Sequence, residues 1–409
     1  MKKSVLKGYA KVIVRIGANV QKGQRVVINA NVNDNYFVKY LVEECYKAKA
    51  KSVRVEWSSD DVLKLSYKYA KAEVLGETPV WAEEKLKYDA EELPAMIHID
   101  SSDPDALAGI DQDKIAKVRA MRGPVIMKYR EQMDNKYQWC IAGIPGEAWA
   151  KKVFPDLPVK KAIDKLWDAI LEVTRINGDP IKNWEEHNEF LRNKKKTLND
   201  LGIKKLTYKS ANGTDFTIEL PKEAMFGAGD EATLSGVIYN PNMPTEECFT
   251  SPNKYSANGV VYATKPLSVM GNVVSDFGFR FKDGKIIEVI SKKENEKAIL
   301  EKLISLDEGA SRLGEVAFVP FDSPINKTGI LFYSTLYDEN ACCHLAIGRA
   351  FNECIRNFQN LTEEEIKKVD LNTSMIHVDF MIGSADLSIV AETYDGKTVQ
   401  IFKDGVFAI

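Results

Sequence analysis

Four histidines are spread through 409 residues, at His98, His187, His344 and His377, so a catalytic site must use few imidazoles or lean on carboxylates. Ser374-Met375-Ile376-His377-Val378-Asp379-Phe380 alternates like a strand. Residues i and i+2 of a strand point to one face, so His377 and Asp379 project together and can chelate. His344 follows Asp338-Glu339-Asn340 and opens the segment Leu345-Ala346-Ile347-Gly348-Arg349-Ala350-Phe351, which reads as a helix. Glu339 is near enough in the chain to reach the same ion. Glu315 stands at the start of the apolar run Val316-Ala317-Phe318-Val319-Pro320, and Glu246-Glu247 follow the turn at Pro244. Carboxylates at the edge of apolar strands are costly unless paired or metal-bound. These residue types point to a histidine and carboxylate metal site in the second half of the chain. Spacing alone does not say which of them meet. Cys342-Cys343-His344 is a softer alternative, but thiolate sites normally carry spaced cysteine pairs, and none is present. His98 reads as a core histidine and His187 as a helix-surface residue.

The elements that must position these groups divide into two textures. Arg25-Val26-Val27-Ile28-Asn29-Ala30 is a short strand, residues 35–48 are helical, and Ser52-Val53-Arg54-Val55-Glu56-Trp57 is a strand again. This is a βαβ unit, whose crossover favours a parallel sheet. Strands at Met96–Asp100 and Trp139–Ala142, with helices near 111–122 and 146–153, extend it into a doubly wound layer. Asn29-Ala30-Asn31-Val32-Asn33 stands where a glycine-rich phosphate loop would, which argues against a dinucleotide cofactor. Residues 162–201 read as a helical connection.

Beyond that connection, strands at 205–210 and 215–220 flank Ala211-Asn212-Gly213, and Asp283-Gly284, Asp395-Gly396 and Asp404-Gly405 mark further hairpins. Helices are expected at 292–306 and 341–356. The fold class is therefore α/β, with a parallel-sheet α/β domain over 1–200 and a β-rich α+β catalytic domain over 201–409.

Composition narrows the partners. Hydrophobic residues at 44% and charged residues at 28% describe a chain with ample core. A formal charge of -3 offers no broad basic surface to nucleic acid or anionic lipid. No window approaches the ~18 apolar residues of a membrane span, and Met1-Lys2-Lys3-Ser4-Val5-Leu6-Lys7-Gly8 breaks before a signal core forms. Six cysteines without a Cys-x-x-Cys pair read as reduced thiols. A cytosolic protein with a small or neutral substrate is expected.

Asn240-Pro241-Asn242-Met243-Pro244-Thr245-Glu246-Glu247-Cys248-Phe249-Thr250-Ser251-Pro252 resembles a signature segment of the aminopeptidase T and aminopeptidase S family of metallopeptidases. Gly314-Glu315-Val316-Ala317, the stretch Glu339 to Gly348, and His377-Val378-Asp379-Phe380-Met381-Ile382-Gly383 resemble the family's remaining metal-binding segments, in the same order. Upstream, Glu147 to Pro155, Asp179-Pro180 and Trp184-Glu185-Glu186-His187 also fit, so the likeness spans nearly the whole chain.

The resemblance implies a metal-dependent aminopeptidase with two divalent ions per chain, Zn²⁺, Co²⁺ or Mn²⁺. It places their ligands on Glu246 or Glu247, then Glu315, Glu339, His344, His377 and Asp379. The adjacent pair would face opposite ways if extended, so one can bind while the other acts as base. Glu315 is the expected bridge. Ions ~3.5–4 Å apart hold a water acidic enough to attack a peptide carbonyl near neutral pH. Substrates would be peptides with a free N-terminus, and the enzyme a homodimer enclosing its active sites. At Phe351 the family has a tyrosine. Two helical turns after His344, that residue would lie near the same face, and its missing hydroxyl motivates a second reading, a metal- or peptide-binding relative with little hydrolysis.

Overall fold

Val26, Val27 and Ile28 are all buried, as a strand inside a parallel sheet requires. In the computed structural model, which describes residues 1–269 and 272–409, Arg25–Asn31 pairs in parallel with Ser52–Ser58 and with Ala95–Asp100. Trp139–Gly143 adds beside Ala95–Asp100. The helix Asn35–Lys47 makes the first crossover, and Gln112–Met133 and Glu147–Val153 are helical as expected. A fifth strand comes from far along the chain: Asn242–Met243 pairs in parallel with Ile141 and Ala142. The order across this five-stranded sheet starts at Asn242–Met243 and ends at Ser52–Ser58.

That late strand shapes the division of the chain. One compact unit comprises residues 1–186 with 230–244, the other 187–229 with 245–409. The units are thus not the two consecutive segments 1–200 and 201–409, because 230–244 returns to the first. The expected helical connection is two helices, Val159–Val173 and Pro180–Leu201.

Two large antiparallel sheets stand in the second unit, beside a two-stranded pairing of Leu267–Val269 with Asn272–Val274. The larger has eight strands, running from Lys285–Ser291 at one edge to Val406–Phe407 at the other. The smaller has five, ordered His377–Met381, His344–Gly348, Leu313–Phe318, Cys248–Thr250 and Gly227–Ala228. Alternation sorts the side chains of the smaller sheet. Val316, Phe318, Leu345, Ile347 and Phe380 enter one apolar core with Phe216, Phe277, Phe279, Phe281 and Phe402 of the larger sheet. Phe380 packs edge-on against Phe279 with centroids 5.2 Å apart, and Phe318 lies 5.7 Å from Phe402. Glu315, Ala317, His344, Ala346, His377 and Asp379 alternate with these residues and so occupy the other face.

The expected helix at 341–356 is absent. His344–Gly348 is a strand, paired on one side with Leu313–Phe318 and on the other with His377–Met381. The alanine and leucine of this segment favour a helix locally, but pairing with two neighbours and burial of Leu345 and Ile347 outweigh that propensity. The expected helix at 292–306 is present as Glu294–Ile304.

Replacing Phe380 with alanine removes a ring that is 1% exposed and touches Phe277 and Phe279. Chemical denaturation should show a loss of about 3–5 kcal/mol. A loss below about 1 kcal/mol would mean that this face of the smaller sheet is not core.

Candidate metal centre

The register of three strands builds the site. Ala346 is opposite Glu315 on one neighbour and opposite Asp379 on the other. With only a methyl group between them, the two carboxylates can lean inward over the central strand. His344, two residues before Ala346, points to the same face, and His377, two before Asp379, joins them opposite Gly348. Gly348 has φ +101°, and a Cβ there would lie 2.1 Å from the Ile376 carbonyl oxygen. Gly314 is equally confined, since its Cβ would meet the Arg349 carbonyl at 2.3 Å. Glycine at both positions lets the strand ends close around Glu315 and His377.

Two donor groups result. Ligand atoms of Glu247, Glu315 and His344 lie within 4.8 Å of one another, and so do those of Glu315, His377 and Asp379. Glu315 belongs to both. His344 Nε2 is 3.3 Å from Glu247 Oε2, while His377 Nε2 is 3.1 Å from Glu315 Oε2 and 3.2 Å from Asp379 Oδ1. Each ring directs its other nitrogen at a backbone carbonyl: His377 Nδ1 is 2.7 Å from Arg349 O, and His344 Nδ1 is 3.4 Å from Cys342 O. Nδ1–H donating to a carbonyl fixes the tautomer that offers Nε2 as a ligand.

Burial dominates the electrostatics. It pushes the Glu315 carboxyl up, against the hydrogen bond from His377 and the charge of His344. Glu339 is driven well above the usual range by burial, then by the charges of Asp379 and Glu247. Burial alone would lower both imidazoles, but carboxylate contacts outweigh it. His344 rises to about 10 through Glu247 and Glu315, and His377 to about 11 through Asp379 and Glu315. Asp379 is held low despite burial, chiefly by His377. The imidazolium charges partly neutralise a buried carboxylate cluster, which is the task a divalent cation performs better. Asp379 Oδ1 is buried, with the His377 ring nitrogen 3.2 Å away. The donor chemistry, imidazole nitrogens and carboxylate oxygens, suits a divalent ion.

Glu339 lies outside the two tight groups, in a single turn Glu339–Ala341. It is nonetheless buried within the same field. Glu246 and Glu247 are separated by function of place. Glu247 joins His344, whereas Glu246 has its carboxylate 3.8 Å from His187 Nε2. Asn340, fully buried, ties these segments together by accepting from the Glu246 N–H at 2.7 Å and donating to Leu336 O and Glu339 Oε1. His187 is not on a helix surface: it is 8% exposed, and its Nε2 lies 2.7 Å from the Thr245 carbonyl oxygen. Neither Asn340 nor His187 stood out in the sequence as part of the site, because each acts on backbone that only folding brings near.

Phe351 is not two helical turns beyond His344, since the intervening segment is a strand. It still borders the site, with its ring 4.8 Å from that of His377 and 5.7 Å from that of Phe249. Tyr337 stacks on Phe332 in the interior, 4.8 Å away, while Tyr333 shares a cavity wall with Glu339 and Asp379. Among the described residues no cysteine joins a donor group. Burial raises the Cys342 thiol to about 11, and the Cys343 thiol donates to the Val319 carbonyl.

The family model described as thermophilic metalloprotease (M29) matches residues 2–407. The chain is 42% identical over 405 residues to aminopeptidase AmpS of Bacillus subtilis (strain 168), covering 98% of each. It is 36% identical over 410 residues to aminopeptidase T of Thermus thermophilus, covering 99% of this chain and 98% of that one. The solved structure of wild-type AmpT from Thermus thermophilus matches with a TM-score of 0.91 at 34% identity, over 100% of both chains. Agreement at this level, in sequence and in fold and from end to end, means that the chain belongs to the thermophilic metalloprotease (M29) family.

Proposed function

We propose that Glu247, Glu315, Glu339, His344, His377 and Asp379 hold two divalent ions in this metal-dependent aminopeptidase, with Glu315 shared between them. The observation that carries this reading is the membership of Glu315 in both donor groups. When bound, such ions supply Lewis acidity that lowers the pKa of water and polarises a carbonyl. Zn²⁺, Co²⁺ and Mn²⁺ all accept this donor set. The protein's own groups do the rest. His344 and His377 keep their Nδ1–H on backbone carbonyls and so hold Nε2 in place. Glu247 sits with the ligands, and we assign the role of base to Glu246, whose carboxylate lies 3.8 Å from His187 Nε2. Asn340 fixes the backbone of this pair.

Carboxylate oxygens of Glu339 and Asp379 beside the donor cluster also offer hydrogen-bond acceptors to a free α-ammonium at the substrate's N-terminus that an acylated one cannot use, in keeping with exopeptidase action. Nothing at the site favours a non-hydrolysing role. Phe351 takes part as an apolar neighbour of His377. We place the enzyme in the cytosol as a homodimer; the six buried, free cysteines support a reducing compartment. Among the described residues no helix is long and apolar enough to cross a membrane.

Metal-loaded protein should release the first residue of an unblocked tripeptide and leave its N-acetyl derivative intact, as followed by chromatography of the products. Equal cleavage of both peptides contradicts the exopeptidase assignment.

Metal loading should also release protons. His344 and His377, raised to about 10 and about 11 without metal, are protonated at pH 7 and must become neutral to coordinate. Affinity should therefore rise with pH between 6 and 8, about tenfold per pH unit for each proton displaced. Calorimetry in two buffers of different ionisation heat measures the release. No net proton release would contradict this protonation of the imidazoles before loading.

A further inference from the structure

We propose that the cleft at the carboxyl ends of the parallel strands in the first unit is a binding site for a linear aliphatic polyammonium ion. The cleft has a volume of about 990 Å³, and every residue that lines it belongs to that unit. Strand order fixes its place. Arg25–Asn31 and Ala95–Asp100 lie side by side, yet the chain leaves the first for Ser52–Ser58 on one flank and the second for Trp139–Gly143 on the other. Diverging connections leave a crevice outside the strand ends, which is where open α/β sheets bind ligands. Asn31 and Asn33 line the cleft from one strand end, Ser101 and Asp103 from the other.

Charge selects the ligand. The carboxylates of Asp34, Asp60, Asp61, Asp103, Glu147 and Asp164 line the cleft. Lys151 is their one lysine counterpart among the described residues, and its ammonium donates to the Pro155 and Leu157 carbonyl oxygens. Asp34 carries the argument. It is 2% exposed, and the hydrogen bonds it accepts from Ser101 Oγ at 2.7 Å and from the Asn31 N–H at 3.1 Å both end on Oδ2. Among the described residues no donor meets Oδ1, in a side chain that lines the cleft. Burial raises this carboxyl to about 6. A buried carboxylate oxygen without a donor is costly, and an ammonium in the cleft supplies what it lacks.

Two other ligand classes fit worse. Helix starts commonly hold phosphate, but Asp34 stands at the N-cap of Asn35–Lys47, Asp60 and Asp61 fill the first turn of Asp60–Tyr69, and Glu147 opens Glu147–Val153. The protein's own carboxylates hold those positions. A single divalent ion needs ligands that converge, and among the described residues the side-chain groups close enough to share an ion are both in the second unit. Spread carboxylates suit charges spread along a chain. Leu6, Ile163 and Trp167 add apolar surface to the lining, against which the methylenes between ammonium groups can pack.

Calorimetric titration of spermidine into the metal-loaded protein tests the site, with saturable binding of one spermidine per chain as the expected result. Asp34→Asn keeps the shape of the side chain and removes its charge, and should weaken binding about tenfold or more. Ala148→Lys places a competing ammonium at an exposed lining position and should weaken binding by a similar factor without touching the core, so it decides the matter if Asp34→Asn does not fold. Glu363→Gln, at an exposed carboxylate of the second unit, should leave binding unchanged. Absence of saturation, or binding that neither cleft variant weakens, overturns the site. Inorganic phosphate or Mg²⁺ that displaces spermidine at equal concentration overturns the ligand class. Hydrolysis enters none of these measurements, so the site stands or falls apart from the aminopeptidase assignment.

Discussion

Everything at this site depends on the cost of burying carboxylates. Glu247, Glu315 and Asp379 at one side of a sheet, and Glu339 in the turn beside it, are drawn out of water while the sheet's other side is apolar core. Isolated, such charges are untenable in a protein interior. Two histidines offset part of the charge by taking up protons, and this is why their basicity is so high despite burial. A divalent ion offsets more of it with less structure. The metal reading and the electrostatics of the metal-free protein are therefore two descriptions of one deficit.

The smaller sheet solves the geometric half of the problem with a two-residue period. Phenylalanine, valine, leucine and isoleucine face the larger sheet, while carboxylates and imidazoles face away. Small residues decide where the ligands converge. Ala346 separates Glu315 from Asp379 in the register, and Gly348 stands opposite His377. Each leaves volume that a larger side chain would occupy. The same alternation carries Met381 past Asp379, opposite His344.

Much of this was legible from residue types and alternation. His377-x-Asp379 reads as a strand pair on one face, the strands of the parallel sheet show as short apolar runs, and the β-rich second half shows in its Asn-Gly and Asp-Gly turns. The segment from His344 to Phe351 was misread, because alanine and leucine carry helix propensity and nothing local announces that two other strands will flank them. Asn242–Met243 is too short to signal a strand, and its partner lies a hundred residues earlier. Asn340 and His187 bind backbone groups of the Thr245–Glu246 segment, contacts that no spacing rule encodes. The proposed choice of Glu247 over Glu246 rests on the fold, since neighbouring identical residues differ only in what each one faces.

The central claim is that Glu315 belongs to both halves of a two-ion site. Metal content after chelation and reloading, measured by elemental analysis on wild type, Glu315→Ala and Asp379→Ala, tests it most directly. The account predicts close to two ions per chain in wild type, loss of both in Glu315→Ala, and retention of about one in Asp379→Ala. Two ions retained in a folded Glu315→Ala protein, or one ion held by Cys342 and Cys343, would contradict it.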